Sequence, residues 1–286
     1  MRYRVLLLLW LQVPALVLAD PVVRIDQDGP EQIRRLARPI FQGIAHVELA
    51  AETPRRMRGQ ALLIDLQAPG LSFFVNPPSE KAPEKFESIT TSNFLKKYRL
   101  QAAINAAPFH PVVKEEGVLQ EVIGLAVSRG KLVSKPQKGY AALLLTADNK
   151  ARIVEQPPDS LQGIENACGG FKQILREGKN IGPDDALHPR SAVGISRDGR
   201  TLILLVIDGR QKNHSLGAKQ SETADWLVRL GAYCGLNLDG GGSSSLVIAE
   251  SPTMVRILNR PIQSGVPGRE RPCPNHLGIY ARPLPR

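Results

Sequence analysis

The run Leu236-Asn237-Leu238-Asp239-Gly240-Gly241-Gly242-Ser243-Ser244-Ser245-Leu246-Val247 gathers the residue types that chemistry needs. An apolar stretch ends in a carboxylate, three glycines and three serines follow, and a second apolar stretch begins at once. Such flanks read as strands, with a tight crossing between them. Consecutive glycines permit positive φ and bring bare N–H groups close to a ligand. Gly240, Gly241, Gly242, Ser243 and Ser244 are therefore candidates for an anion-binding nest of amides and hydroxyls. Asp239, at its rim, is the candidate for acid–base or nucleophilic work. The dinucleotide fingerprint and the nucleophile elbow do not fit, because both need glycine where Ser245 stands. A plain Gly-Ser linker is disfavoured by the two apolar runs that clamp the stretch.

Four other segments carry candidate chemistry. Asn105 ends an apolar run and precedes Ala106-Ala107-Pro108-Phe109. Arg190 follows His188-Pro189 and enters a strand pattern, a placement that suits bidentate binding of phosphate or carboxylate. Leu202–Ile207 runs into Asp208-Gly209-Arg210, which a turn with an internal ion pair explains equally well. Glu222 falls in the first turn of an expected helix, where the helix dipole alone accounts for an acid.

In this order the segments resemble the phosphodiester glycosidase family. The motifs are Arg190, Asp208-Gly209-Arg210, Glu222-x-Ala224, Leu230-Gly231-Ala232 and Asn237-Leu238-Asp239-Gly240-Gly241-Gly242-Ser243-Ser244. Gly169-Gly170, Ile174-Leu175-Arg176-Glu177-Gly178-Lys179 and Asn275-His276-Leu277-Gly278-Ile279 support them. The resemblance spans residues 102–280, and more loosely 62–75. It implies hydrolysis of a glycosyl-1-phosphodiester linkage in an exported glycan or glycoconjugate. Asp239 and Glu222 would be base or nucleophile and Asp208 an orienting or assisting acid. Asn105, Arg190, Arg210 and Gly240–Ser244 would hold the substrate.

One segment departs from the family pattern. Asn-Gly-Gly-Phe-Phe is usual where this chain has Asn105-Ala106-Ala107-Pro108-Phe109. The change is expected to stiffen the loop and push methyl groups towards a ligand. That departure and the surplus positive charge motivate an alternative, a non-catalytic anionic polysaccharide-binding module of the cell envelope. A third reading, a serine hydrolase using Ser243 or Ser244, would draw a base from His188, His214 or His276.

The elements that must position these residues are mostly strands. Apolar runs at Ala61–Leu66, Leu71–Val75, Val122–Val127, Ala141–Thr146, Ala192–Ile195, Leu202–Ile207, Leu236–Leu238 and Leu277–Tyr280 are bounded largely by Gly, Pro, Asn or Asp. Helix patterns are few: Ser221 to Tyr233, with Ser221 as N-cap and Ala224, Leu227 and Leu230 on one face, and Ser92 to Leu100. The proline-dense stretch Pro261–Pro274 is expected to wrap the surface in extended form. The expected fold is α+β: a strand-rich single domain over residues 20–286, core about 102–280, with few helices packed on a mixed sheet.

Residues 1–19 read as a signal peptide. Arg2 and Arg4 precede an apolar stretch, and Val17-Leu18-Ala19 supplies the small-residue cleavage pattern. The expectation is an exported protein, periplasmic or extracellular, cleaved near Ala19 and without integral membrane association. Losing both arginines lowers the formal charge of +10 by two, leaving a basic chain suited to a phosphate-bearing glycan. Nucleic acid is not expected as a partner, since the basic residues are scattered and aromatics make up only 5%. Cys168, Cys234 and Cys273 allow one disulfide, with the pair left open. Asp208 and Asp239 are the candidates for a divalent cation such as calcium, but no ligand-dense loop is visible, so no required cofactor is expected.

Overall fold

Thr201–Ile207 (Thr-Leu-Ile-Leu-Leu-Val-Ile) shows why the apolar runs lack the usual in–out alternation. Leu202, Leu204 and Val206 enter one hydrophobic cluster, while Ile203, Leu205 and Ile207 enter another. The strand is buried on both faces, so both parities must be apolar. It sits mid-sheet in a nine-stranded sheet of a computed structural model that describes residues 22–251 and 253–285.

The sheet runs Val22–Arg24, Ile44–Ala51, Met57–Asp65, Thr201–Ile207, Arg190–Ser196, Ala232–Asn237, Gln173–Arg176, Lys179–Asn180, with Arg38–Phe41 paired to Ile44–Ala51 as well. Val22–Arg24 pairs in parallel and the other strands antiparallel, which makes the sheet mixed. One five-stranded sheet is ordered Val255–Ile257, Leu246–Ala249, Ala102–Asn105, His276–Tyr280, Ser72–Val75. Another is built around Ile164–Gly170 and Ala141–Thr146. The largest core lies where the three meet, with Val193 and Leu236 from the first, Ile104 and Leu277 from the second and Leu143 from the third.

Helices close the outer faces. Gln220–Arg229 presents Trp226 and Leu227 to the far side of the large sheet. Its N-cap is Lys219 rather than Ser221, and Gly231, at φ +96°, turns the chain into the next strand, which already contains Tyr233. The expected helix is therefore shorter and starts earlier than its apolar spacing alone indicates. Thr91–Tyr98, capped by Thr90 Oγ1 accepting from the Asn93 amide, packs Phe94 and Leu95 on the second sheet. The proline-dense stretch is more than a wrap: Ile262–Gln263 and Val266–Pro267 form a short hairpin whose Ile262 and Gln263 are buried. The signal-peptide assignment lies outside the described residues. Among the described residues no helix is long and apolar enough to cross a membrane. All three cysteines are free.

Candidate active site

The Gly-rich run is the crossing between the large sheet and the second sheet, leaving strand Ala232–Asn237 and entering Leu246–Ala249. Asn105, at the end of Ala102–Asn105, holds both sides of it. Its Nδ2 donates to the Asp239 carbonyl at 2.7 Å, and its Oδ1 accepts from Ser191 Oγ at 2.7 Å and the Ser245 amide at 3.2 Å. The Asp239 amide donates to the Ala106 carbonyl at 2.9 Å, and the Gly241 amide to the Pro189 carbonyl at 2.9 Å. Backbone position at Asp239 is thus fixed from two segments distant in sequence, 105–106 and 189–191.

Asp239 stands on a pocket of about 500 Å³. Tyr140 and Phe171 line one side, their ring centroids 5.8 Å apart and 30° from parallel. Burial pushes the Asp239 carboxyl up to about 6, against a smaller opposing pull from the Ser243 hydroxyl, the Arg271 charge and the Gly240 amide. It is the one carboxylate lining the pocket among the described residues, facing Lys172, His188, Arg190, Arg210 and Arg271.

The three guanidiniums are not equivalent. Arg190 donates from one nitrogen to both Asp185 oxygens, at 2.9 and 2.8 Å, and to the Ala186 carbonyl, and from Nε to the Ala218 carbonyl. Nε and one terminal nitrogen are thus engaged by the protein, while the side chain still lines the pocket. Arg210 and Arg271 have no carboxylate within ion-pairing distance among the described residues. Arg210 bonds His188 Nδ1 at 3.0 Å, and its pKa is lowered by burial and by the charges of Arg271 and Arg190. Arg271 donates to Gln263 Oε1 at 2.8 Å and Ser243 Oγ at 3.3 Å. A guanidinium only donates, so His188 Nδ1 accepts from Arg210 and carries no proton, which makes the ring neutral; burial and the Arg210 and Arg190 charges, against the Asp185 charge, lower its pKa.

The loop's glycines make room for this cluster. At Gly241, φ +65°, a Cβ would press on the Arg210 guanidinium at 3.1 Å. At Gly242 it would collide with Gln263 Oε1 and the Arg271 guanidinium. The amides of Gly241, Ser243 and Ser244 are bonded within the chain, so these three members of the expected nest are already engaged.

Glu222 and Asp208 do not line this pocket. Glu222 accepts from the Lys219 amide at 2.9 Å, the carboxylate half of a capping box, and pairs with Arg55. It does not line the pocket. Asp208, 3% exposed, accepts from His214 Nε2 at 2.7 Å, Asn259 Nδ2 at 3.0 Å and the Arg260 amide at 3.0 Å. It clamps the turn that presents Arg210, whose own φ is +58°. A left-handed arginine is held only by such surroundings. Asn105 is likewise a brace, 1% exposed and behind the loop.

Ala106 and Ala107 are each 1% exposed and line neither this pocket nor its neighbour beyond Arg210, so their methyl groups do not crowd a ligand as expected. Neither Ser243 nor Ser244 has a histidine partner: His214 is held by Asp208 and His188 by Arg210. His276 is fully buried, stacked on Phe94, and pushed down to about 3 by burial. Asp208 does not line the Asp239 pocket, and no group of three or more metal-ligating side chains occurs among the described residues. Arg271, Gln263, Tyr140 and Phe171 were not singled out by sequence. Arg271 sits in a proline-dense stretch without local pattern, and its place beside Gly242 and in the pocket appears only in three dimensions.

Comparisons with known proteins agree with this architecture. The chain superposes on the catalytic domain of zebrafish N-acetylglucosamine-1-phosphodiester α-N-acetylglucosaminidase, auto-inhibited by its pro-peptide. The TM-score is 0.61 at 21% identity, over 86% of this chain and 85% of that one. It also superposes on a hypothetical protein from Synechocystis with TM-score 0.59 and 16% identity, over 86% of this chain and 64% of that one. At these identities the likeness is one of fold. No curated protein matches the sequence. The family model for phosphodiester glycosidases matches residues 98–280, which take in the crossing loop, both unpaired arginines and the bracing strand. The chain belongs to the phosphodiester glycosidase family.

Proposed function

We propose that the protein hydrolyses glycosyl-1-phosphodiester linkages of an exported glycan or glycoconjugate. One juxtaposition carries this reading. A carboxylate tuned to about 6 shares a pocket with two guanidiniums that lack acidic partners among the described residues. The unpaired charges suit a phosphodiester anion, and a base of that strength works near neutral pH. Tyr140 and Phe171 offer apolar ring surface for the sugar.

In the proposed step Asp239 accepts a proton from water as the water oxygen bonds to C1. The bond from C1 to the bridging oxygen breaks, and its electron pair leaves on the phosphomonoester. Arg210 and Arg271 stabilise the charge gathering there, so a strong proton donor to the leaving oxygen is dispensable. Asp208, Glu222 and Asn105 act by position, holding Arg210, the Gln220–Arg229 helix and the crossing loop. With one carboxylate lining the pocket, direct attack by water is favoured, and the product sugar emerges with inverted configuration at C1.

The test is release of sugar from a panel of α-glycosyl-1-phosphodiesters, run beside Asp239→Asn, with the first-formed anomer read by NMR. Turnover lost in the variant supports the reading. Undiminished turnover in Asp239→Asn overturns it, and a retained anomer would make Asp239 a nucleophile rather than a base.

A further inference from the structure

Arg210 and Arg271 are shared between two cavities. The second is a cavity of about 420 Å³, walled by two hairpin turns. One is the loop between strands Phe109–His110 and Leu119–Val122, which contributes Val112, Val113 and Lys114. The other is the turn at Ser264 and Gly265 of the short hairpin described above. Val112 is 58% exposed, a large apolar side chain left in solvent at the rim of a charged cavity. The cavity lining contains three cations, Lys114, Arg210 and Arg271, and no carboxylate. Lys114 has no ion-pair partner among the described residues.

We propose that this second cavity seats the alcohol portion of the leaving phosphomonoester, and that Val112 and Lys114 select an alcohol with an apolar body ending in a second anionic group. The inference rests on the hydrolase reading of the first pocket. A phosphodiester has two substituents, and a phosphate held by Arg210 and Arg271 from one cavity must direct its second substituent into the other. Exposed valine rewards an apolar segment there, because each methylene it covers leaves water. Lys114, beyond it, pairs with a terminal carboxylate or phosphate. A short neutral alcohol gains neither contact.

Three α-N-acetylglucosaminyl-1-phosphodiesters distinguish these contacts: methyl, hexyl and 5-carboxypentyl. The wild-type kcat/KM is expected to rise in that order, at least tenfold from first to last, mainly through KM. Lys114→Glu should raise KM for the carboxypentyl ester about tenfold and leave the methyl ester within twofold. Val112→Asp should erase the advantage of the hexyl ester. Equal kcat/KM for all three esters, or an equal loss for methyl and carboxypentyl in Lys114→Glu, would overturn the inference while the hydrolase reading stands. Calorimetry with 6-phosphohexanoate separates the two failures. Binding weakened by Lys114→Glu, without turnover of any ester, would keep the second cavity and remove the hydrolase reading. Neither binding nor turnover would remove both.

Discussion

Arg190 and Arg210 both border the crossing loop, and both line the same pocket. Arg190 is gripped by Asp185, Ala186 and Ala218, whereas Arg210 has a neutral imidazole as its partner. The same contrast separates Arg55, paired with Glu222, from Arg271, bonded only to neutral acceptors. A buried cation with a carboxylate beside it is part of the scaffold, and removing its partner leaves an uncompensated charge. A cation without one keeps its field for whatever enters. Residue type does not decide between these roles; the available partner does.

The sharpest way to break this contrast is at Asp239, the single acid set among the unpaired cations. Asp239→Asn should lower kcat about a thousandfold or more. Its stability should move the other way. Because the folded-state pKa is raised, ionisation opposes folding as pH rises from the ordinary carboxylate range to about 6 and above. The variant should therefore melt higher than wild type at pH 7.5, by the equivalent of on the order of 1–3 kcal/mol, and lose that advantage at pH 4. Thermal unfolding at the two pH values checks the sign.

Arg210→Ala and Arg271→Ala should each lower kcat/KM about a hundredfold with little change in melting temperature. Arg190→Ala should instead unfold the protein more easily, by roughly 3 kcal/mol, because Asp185 is left half-buried without its cation. Equal behaviour of the three in paired kinetic and denaturation measurements would erase the distinction. A smaller effect is expected in the pH profile. kcat/KM should rise through a limb near pH 6 as Asp239 loses its proton, and Arg271→Gln should move that limb to higher pH, since the Arg271 charge lowers the Asp239 pKa. The smallest effect belongs to Glu222→Gln, expected to cost about 1 kcal/mol of stability through the helix cap and the Arg55 pair, with kcat within a fewfold.

Much of the fold was legible because the central strands are buried on both faces and announce themselves as apolar runs. The crossing loop was legible because Gly-Gly-Gly-Ser-Ser-Ser has few structural explanations between two strands. Pairing was not. Arg55 and Glu222 are 167 residues apart, and no local pattern joins them. The Asp208 carboxylate reads as chemistry at a strand end, yet Asn259 and Arg260 arrive from 51 and 52 residues away to claim it. The helix dipole gave the better account of Glu222 when weighed alone. The two alanines after Asn105 were expected to intrude on ligand, but the chain turns them into the core, with the Ala107 amide donating to Asn275 Oδ1 at 3.2 Å.

The Asn105 brace carries a kinetic implication. Ala102–Asn105 lies between Leu246–Ala249 and His276–Tyr280, so the strand holding the crossing loop is completed by segments more than a hundred residues further on. Pairings of such high contact order form late, after the long intervening loops have closed. A refolding chain should regain helical signal before turnover, and hydrolysis would then time the final docking of its sheets.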